Sequence, residues 1–151
     1  MKGNVAYLDS SAIVKRYVKE VGGDYVRQLY LGAYAGEVRL AFSVWNVGEV
    51  LGVLDKARRR NMLDNHAYIT ARRRFLSETR RMAKLGILAL VPLSKNILVA
   101  TWKYIEEYHI YQADAVQLVS AKRVACEEFV TGDKELHEVA LSEGLKSTYL
   151  G

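Results

Sequence analysis

Apolar positions in this chain switch repeatedly between short continuous runs and a helical period, which predicts strands separated by helices. Residues 4–8 (NVAYL) form an apolar run that ends at Asp9. A buried strand entering a helix explains it, with Asp9, Ser10 or Ser11 as the cap and the helix running to about Val18. Gly22, Gly23 and Asp24 open a second helical pattern whose stripe of Val26, Leu29, Tyr30 and Ala33 falls at i, i+3, i+4 and i+7; it stops near Gly36. Residues 38–42 (VRLAF) read as a second strand, and Ser43 as the N-cap of a helix from Val44 to about Arg60 that contains Glu49. Asp64 or Asn65 starts a long basic helix through Arg81, then comes a third strand at residues 87–91, closed by Pro92. Ser94 begins a helix to about Tyr108, and another covers residues 112–125 with Asp114 in its first turn. Residues 128–131 (EFVT) are a fourth strand, Asp133 heads a last helix ending at Gly144, and residues 147–150 form a short edge strand.

This order predicts an α/β fold, a parallel sheet of four or five strands with helices on both faces. In open sheets of this kind ligands sit beyond the carboxyl ends of the strands. Asp9 and Asp133 directly follow the first and fourth predicted strands, so both are expected at one rim. With 151 residues, one proline and no linker or repeat, a single domain over residues 1–151 is expected. No apolar stretch reaches the length of a membrane span, and the opening MKGNVAYLDSS does not resemble a secretory signal, so no membrane association is expected. Cys126 is the only cysteine, which excludes an intrachain disulfide and suits a reducing compartment; a cytoplasmic location is expected.

Charge changes the picture because it is uneven. Residues 56–84 hold ten Lys or Arg against two acids, a local balance of +8, while the remaining twelve cations and fifteen acids give −3. The clusters Arg58, Arg59, Arg60 and Arg72, Arg73, Arg74 are candidates for contact with an RNA backbone, since neutralising phosphates releases condensed counterions. The same cations could equally solvate a helical face or meet an acidic protein.

Four carboxylates stand out as candidate chemistry: Asp9, Glu49, Asp114 and Asp133. Each has an ordinary alternative. Asp9 and Asp133 could cap helices, the helix dipole favours Asp114 in a first turn, and Glu49 could face solvent. Glu49, however, lies among Val47, Val50, Leu51 and Leu54, close to a face that would otherwise be buried, where an unpaired carboxylate is costly. A hard cation such as Mg²⁺ or Mn²⁺ needs only a few such oxygens, and it activates water for attack on a phosphodiester.

The run YLDSSAIVKRYVKE at residues 7–20 resembles the opening of PIN-domain proteins of the VapC toxin type. Three more segments are similar to that family in the same order: SVWNVGEV at residues 43–50, QADAVQLVSA at 112–121 and VTGDKEL at 130–136. The resemblance implies a PIN-like fold in which Asp9, Glu49, Asp114 and Asp133 hold Mg²⁺ or Mn²⁺, with Ser10 and Thr131 supporting the site through their hydroxyls. It also implies RNA hydrolysis by a metal-activated water, a toxin role, a cognate antitoxin as inhibitor and a homodimer. Gln117 stands where many relatives carry His, and Gly132 where the residue is often bulkier.

Two other functions are compatible with parts of the pattern. A non-catalytic RNA-binding or scaffold PIN module would use the arginine clusters and be indifferent to the acids. A phosphatase of the haloacid-dehalogenase type also places Asp after its first strand, but it uses a second Asp two residues later, and here that position is Ser11. Ten Tyr against three Phe suggest base stacking or an amphipathic subunit interface. His66, His109 and His137 have no zinc-like spacing, and no Walker loop or Gly-x-Ser-x-Gly elbow occurs.

Overall fold

The computed structural model describes residues 4–151. Strand β1 (Val5–Leu8) runs into a single turn of helix, α1 (Ser10–Val14), and then α2 (Gly23–Tyr34) leads to β2 (Arg39–Ser43). Helices α3 (Val44–Arg59) and α4 (Asn65–Lys84) connect β2 to β3 (Leu88–Val91). Helices α5 (Lys95–Tyr108) and α6 (Gln112–Arg123) then lead to β4 (Glu128–Thr131), and α7 (Lys134–Ser142) to β5 (Ser147–Tyr149). The helix starts follow local capping: Asp9, Asp64, Ser94 and Asp133 each accept a backbone N–H of the first turn. The first helix is shorter than the predicted run to Val18. After Val14 the chain passes through turns held by bonds such as Tyr17 N to the Val14 carbonyl, and these turns lead toward the start of α2.

All five strands are parallel, in the order β3-β2-β1-β4-β5. The chain adds strands on one side of β1 as far as β3, then returns to the other side for β4 and β5. The direction of winding therefore reverses between β1 and β4, which makes their carboxyl ends the expected ligand crevice. The period-2 alternation of the strands divides the interior into two layers. Ala6, Leu8, Leu40, Phe42 and Leu88 pack with buried residues of α1 to α4, whereas Tyr7, Ala41, Val91 and Phe129 pack with those of α5 to α7. Tyr7 pairs in register with Phe129, and their rings stack at 5.6 Å between centroids. Such a pair adds roughly 0.5–1.5 kcal/mol beyond burial. It helps lock β1 to β4, and that register brings the residues just beyond Leu8 and Val130 side by side.

Candidate active site

Asp9 follows β1 directly and is 4% exposed. Its Oδ1 accepts the Ala12 amide at 3.0 Å and the Ser11 hydroxyl at 2.6 Å, and its Oδ2 accepts the Thr131 hydroxyl at 2.5 Å. Each hydroxyl is tied in turn to the segment after β4: Gly132 N donates to Ser11 Oγ at 2.7 Å, and Asp133 N to Thr131 Oγ1 at 3.0 Å. The two strand ends are thus stitched through one carboxylate. Burial nevertheless pushes the Asp9 pKa up to about 6, against the lowering effect of the Ser11, Thr131 and Ala12 hydrogen bonds and with added repulsion from Asp133. Three donors leave part of the burial cost of this anion uncompensated, an environment that a nearby positive charge would relieve.

Asp133 lies one residue beyond Gly132, half-buried, and its Oδ1 caps α7 by accepting Leu136 N at 3.2 Å. Capping and membership of the rim coexist. Asp114, half-buried in the first turn of α6, has its pKa raised to about 6 by burial and then by the charges of Asp133, Asp9, Glu49 and Glu135. Glu49 and Asp114 are therefore within electrostatic reach of the two strand-end aspartates. As the side chains stand, though, no three Asp, Glu, His or Cys side chains among the described residues are grouped so as to hold one metal ion.

A buried polar chain explains how Glu49 reaches this region. Asn46 Nδ2 donates to Glu49 Oε1 at 3.1 Å, while Asn46 Oδ1 accepts Ser43 N at 2.8 Å and the Tyr7 hydroxyl at 3.4 Å. The same hydroxyl donates to Gln117 Oε1 at 2.7 Å, and Gln117 Nε2 donates to the Ala113 carbonyl at 3.3 Å. Tyr7 of β1 thereby ties α3, which carries Glu49, to α6, which carries Asp114. Gln117 is part of this support, a role that its amide fills with one donor and one acceptor.

A family model for the PIN domain matches residues 6–141 of the chain. The chain belongs to the PIN-domain family. No curated protein sequence matches this PIN domain. Its fold is similar to several solved structures at low identity. VapC20 of Mycobacterium tuberculosis, a toxin that cleaves the sarcin-ricin loop, superposes with a TM-score of 0.61 at 11% identity, covering 89% of this chain and 94% of that one. VapBC2 of Rickettsia felis, solved bound to a DNA fragment from its promoter, gives 0.62 at 14% identity over 97% and 99%. FitAcB of Neisseria gonorrhoeae gives 0.57 at 15% identity over 94% and 95%.

Within this PIN domain the hydroxyl beside Asp9 is that of Ser11, not Ser10. Ser10 is the first residue of α1 and half-buried, and no hydrogen bond of its hydroxyl occurs among the described residues. Ser11 stands two positions after the strand-end Asp that caps α1, and from there its hydroxyl folds back onto the carboxylate. Asn46 was legible only as the third residue after the Ser43 cap, where a capping box places a side chain that returns to the cap's amide.

The arginine clusters divide. Arg58 and Arg59 both pair with Asp55, and Arg58 also lies 4.4 Å from the Tyr68 ring centroid. Arg60 is exposed beyond α3. Arg72, Arg73 and Arg74 are exposed on α4, with Arg74 at 5.6 Å from the Tyr17 ring centroid. Glu78, the only acid on α4, is buried and accepts both Arg16 Nε and an Arg16 terminal nitrogen at 2.9 Å, plus the Tyr17 and Tyr34 hydroxyls at 2.8 Å. Burial alone would raise its pKa, but those four donors and the Arg16 charge bring it down to about 2. Among the described residues no helix is long and apolar enough to cross a membrane.

Proposed function

We propose that this PIN domain, one catalytic unit over residues 1–151, is a divalent-metal-dependent endoribonuclease and the toxin of a VapBC-type toxin–antitoxin pair. The observation that carries the proposal is the gathering of acids at the reversal point of the sheet, Asp9 and Asp133 just beyond β1 and β4 with Asp114 and Glu49 within electrostatic reach. Asp114 feels the charges of Asp9, Glu49 and Asp133 together, and both Asp9 and Asp114 are pushed up to about 6. Burial is the first cause of both shifts and the neighbouring acids add to it, and a hard cation offsets both. Asp9, Glu49, Asp114 and Asp133 would hold Mg²⁺ or Mn²⁺, with Asp9 held in place by Ser11 and Thr131 and with Glu49 and Asp114 drawing inward. When bound, the ion supplies Lewis-acid stabilisation of phosphate charge and a water acidic enough to attack at neutral pH.

The chain's own residues then position and select. Ser11 and Thr131 donate to the inner face of Asp9, so its carboxylate has few orientations to lose when it binds. Asn46 holds one oxygen of Glu49 and so limits its swing. Family membership, and the fold shared with a sarcin-ricin-loop-cleaving toxin, support RNA as substrate. A cognate antitoxin as inhibitor and a homodimer belong to the same proposal, as does a cytoplasmic location. The lone thiol of Cys126, raised to about 11 by burial, suits that location because it is unreactive at neutral pH.

The competing function, an RNA-binding module without cleavage, is favoured by the absence of three convergent acids among the described residues. Incubating purified protein with structured RNA separates the two. Cleavage that requires Mn²⁺ or Mg²⁺, stops with EDTA and disappears in Asp9→Asn and Asp133→Asn supports the nuclease. RNA retention without metal-dependent cleavage, unaltered by either substitution, identifies the scaffold.

A further inference from the structure

The turns between α1 and α2 form one wall of a cleft of about 530 Å³ that no part of the preceding chemistry uses. Its lining includes five cations, Lys15, Arg16, Lys19, Arg27 and Arg74, against the acids Glu20 and Asp24. Arg16 is committed to Glu78, and Lys15 lies 3.3 Å from Glu20. Lys19, Arg27 and Arg74 are exposed and make no ion pair among the described residues. A second cleft of about 460 Å³ shares Arg16 and Arg74 with the first and adds Arg73 and Arg81, so positive charge continues along α4.

One end of the cleft lies against the acidic rim. A Cβ placed on Gly132 would come within 3.0 Å of Lys15 Cε, 3.3 Å of Ser11 Oγ and 3.5 Å of Lys15 Nζ. The Lys15 stem thus runs through the space that a side chain at position 132 would fill, which places this lysine beside the segment that joins Thr131 to Asp133. The absence of a side chain at Gly132, a departure from the family pattern, is what admits it. The wall formed by the turns is itself held in place: Gly22, at φ +85°, packs under Leu150, where any Cβ would meet the Leu150 Cβ at 2.8 Å. A preformed, cation-lined trench leading from a cluster of carboxylates matches a chain of phosphates whose reacting member sits at the acids.

We propose that this cleft binds the phosphodiester backbone of the RNA flanking the cleaved bond, with Lys15 nearest the acids and Lys19, Arg27 and Arg74 holding successive phosphates. This inference rests on the ribonuclease function proposed above and gives it a path for the substrate. An acidic protein segment is the other polyanion that could enter. Protein interfaces, however, draw their affinity from buried aromatic and aliphatic anchors, and the cleft's apolar lining is limited to Tyr17, Val18 and Val21 beside its glycines.

The test uses the full chain and a labelled 20-nucleotide single-stranded RNA of mixed sequence, with binding followed in EDTA across a series of salt concentrations and cleavage followed in Mn²⁺. Lys19→Ala with Arg27→Ala removes two exposed cations without partners, and Lys103→Ala with Arg123→Ala removes two exposed cations on α5 and α6, outside the cleft. Each phosphate contact on a single strand contributes about 0.7 to the slope of log affinity against log salt, so the first pair lowers that slope by about 1.4. The same pair should raise the KM for cleavage about tenfold or more while leaving kcat within about threefold, as expected when binding equal in ground and transition states is lost. The control pair leaves both unchanged.

An unaltered slope and KM in Lys19→Ala, Arg27→Ala, or an equal effect of the control pair, overturns the proposal. So does a result in which that variant keeps RNA binding but loses binding of polyglutamate, which would make the cleft a protein-docking site. If the wild-type protein neither binds nor cuts RNA, the ribonuclease function and the backbone path fail together. If it cuts RNA but the variants behave as wild type, only the path fails.

Discussion

Replacing Asp9 by asparagine should make the metal-free protein more stable at neutral pH while removing a metal ligand. Burial and the neighbouring Asp133 hold the Asp9 pKa near 6, against 3.8 for an exposed aspartate. A carboxyl whose folded pKa lies above its unfolded value binds its proton more tightly in the folded state. Its contribution to stability is therefore present below about pH 4, falls as pH rises through the window from about 4 to 6, and is absent above it. A displacement of about two pH units corresponds to ~3 kcal/mol lost at neutral pH. Asparagine avoids that loss but keeps only one acceptor oxygen, which can still take Ser11 and Ala12, while its Nδ2 must donate to Thr131 Oγ1 where Asp9 Oδ2 accepted; the weaker and reversed bonds cost about 1.5 kcal/mol. The net gain of ~1.5 kcal/mol corresponds to about 3–6 °C in Tm for a chain of this size. Thermal melts of both proteins in EDTA from pH 4 to pH 8 provide the assay. The variant's advantage should grow between pH 4 and pH 6 and then level off. An Asp9→Asn protein that melts below wild type at pH 8, or a difference that does not vary with pH, would show that the burial and repulsion assigned to Asp9 are wrong.

Other substitutions probe the supports. Thr131→Val deletes the donor to Asp9 Oδ2 and the acceptor of Asp133 N at nearly constant volume; about 1–3 kcal/mol of stability should be lost in urea titrations, together with most RNA cleavage. Cleavage at the wild-type rate would remove Thr131 from the site. Glu78→Gln leaves the Arg16 guanidinium without its charge partner beneath α4 and should cost roughly 3–5 kcal/mol, measured by denaturant unfolding at pH 7. A cost under about 1 kcal/mol would mean that solvent already screens the pair. Asn46→Ala frees Glu49 and opens the Ser43 capping box, so metal affinity should drop about tenfold or more, the usual scale for a residue that orients a ligand, with calorimetry as the readout. An unchanged affinity would separate Asn46 from the metal site.

Much of the fold could be read from the sequence because its signals are local. Asp64, Ser94 and Asp133 cap the helices at which they were expected, and the apolar runs became strands within about a residue of their expected ends. The length of α1 was not legible, since Tyr17 and Val18 continue a helical pattern of apolar residues while serving a turn whose Tyr17 meets Glu78 from α4. The rim shared by Asp9 and Asp133 followed from strand order alone. The proximity of Glu49 and Asp114 to it depends on Tyr7 bridging Asn46 and Gln117, contacts between residues 39 and 110 positions apart that no local pattern encodes. The surroundings of the arginine clusters were not legible for a related reason: sequence shows a run of like charges, but not that Asp55 pairs with Arg58 and Arg59, nor that Lys19 and Arg27 line one cleft with Arg74.

The central claim is that the acids around the ends of β1 and β4 share a divalent ion. Crystals grown with Mn²⁺ and measured for its anomalous scattering test it most directly. The account predicts one peak or a close pair at the rim, with Asp9 and at least one of Glu49, Asp114 and Asp133 at about 2.1 Å, the distance small octahedral cations require. Well-ordered crystals with no anomalous peak near Asp9, or with manganese bound only elsewhere on the molecule, would contradict it.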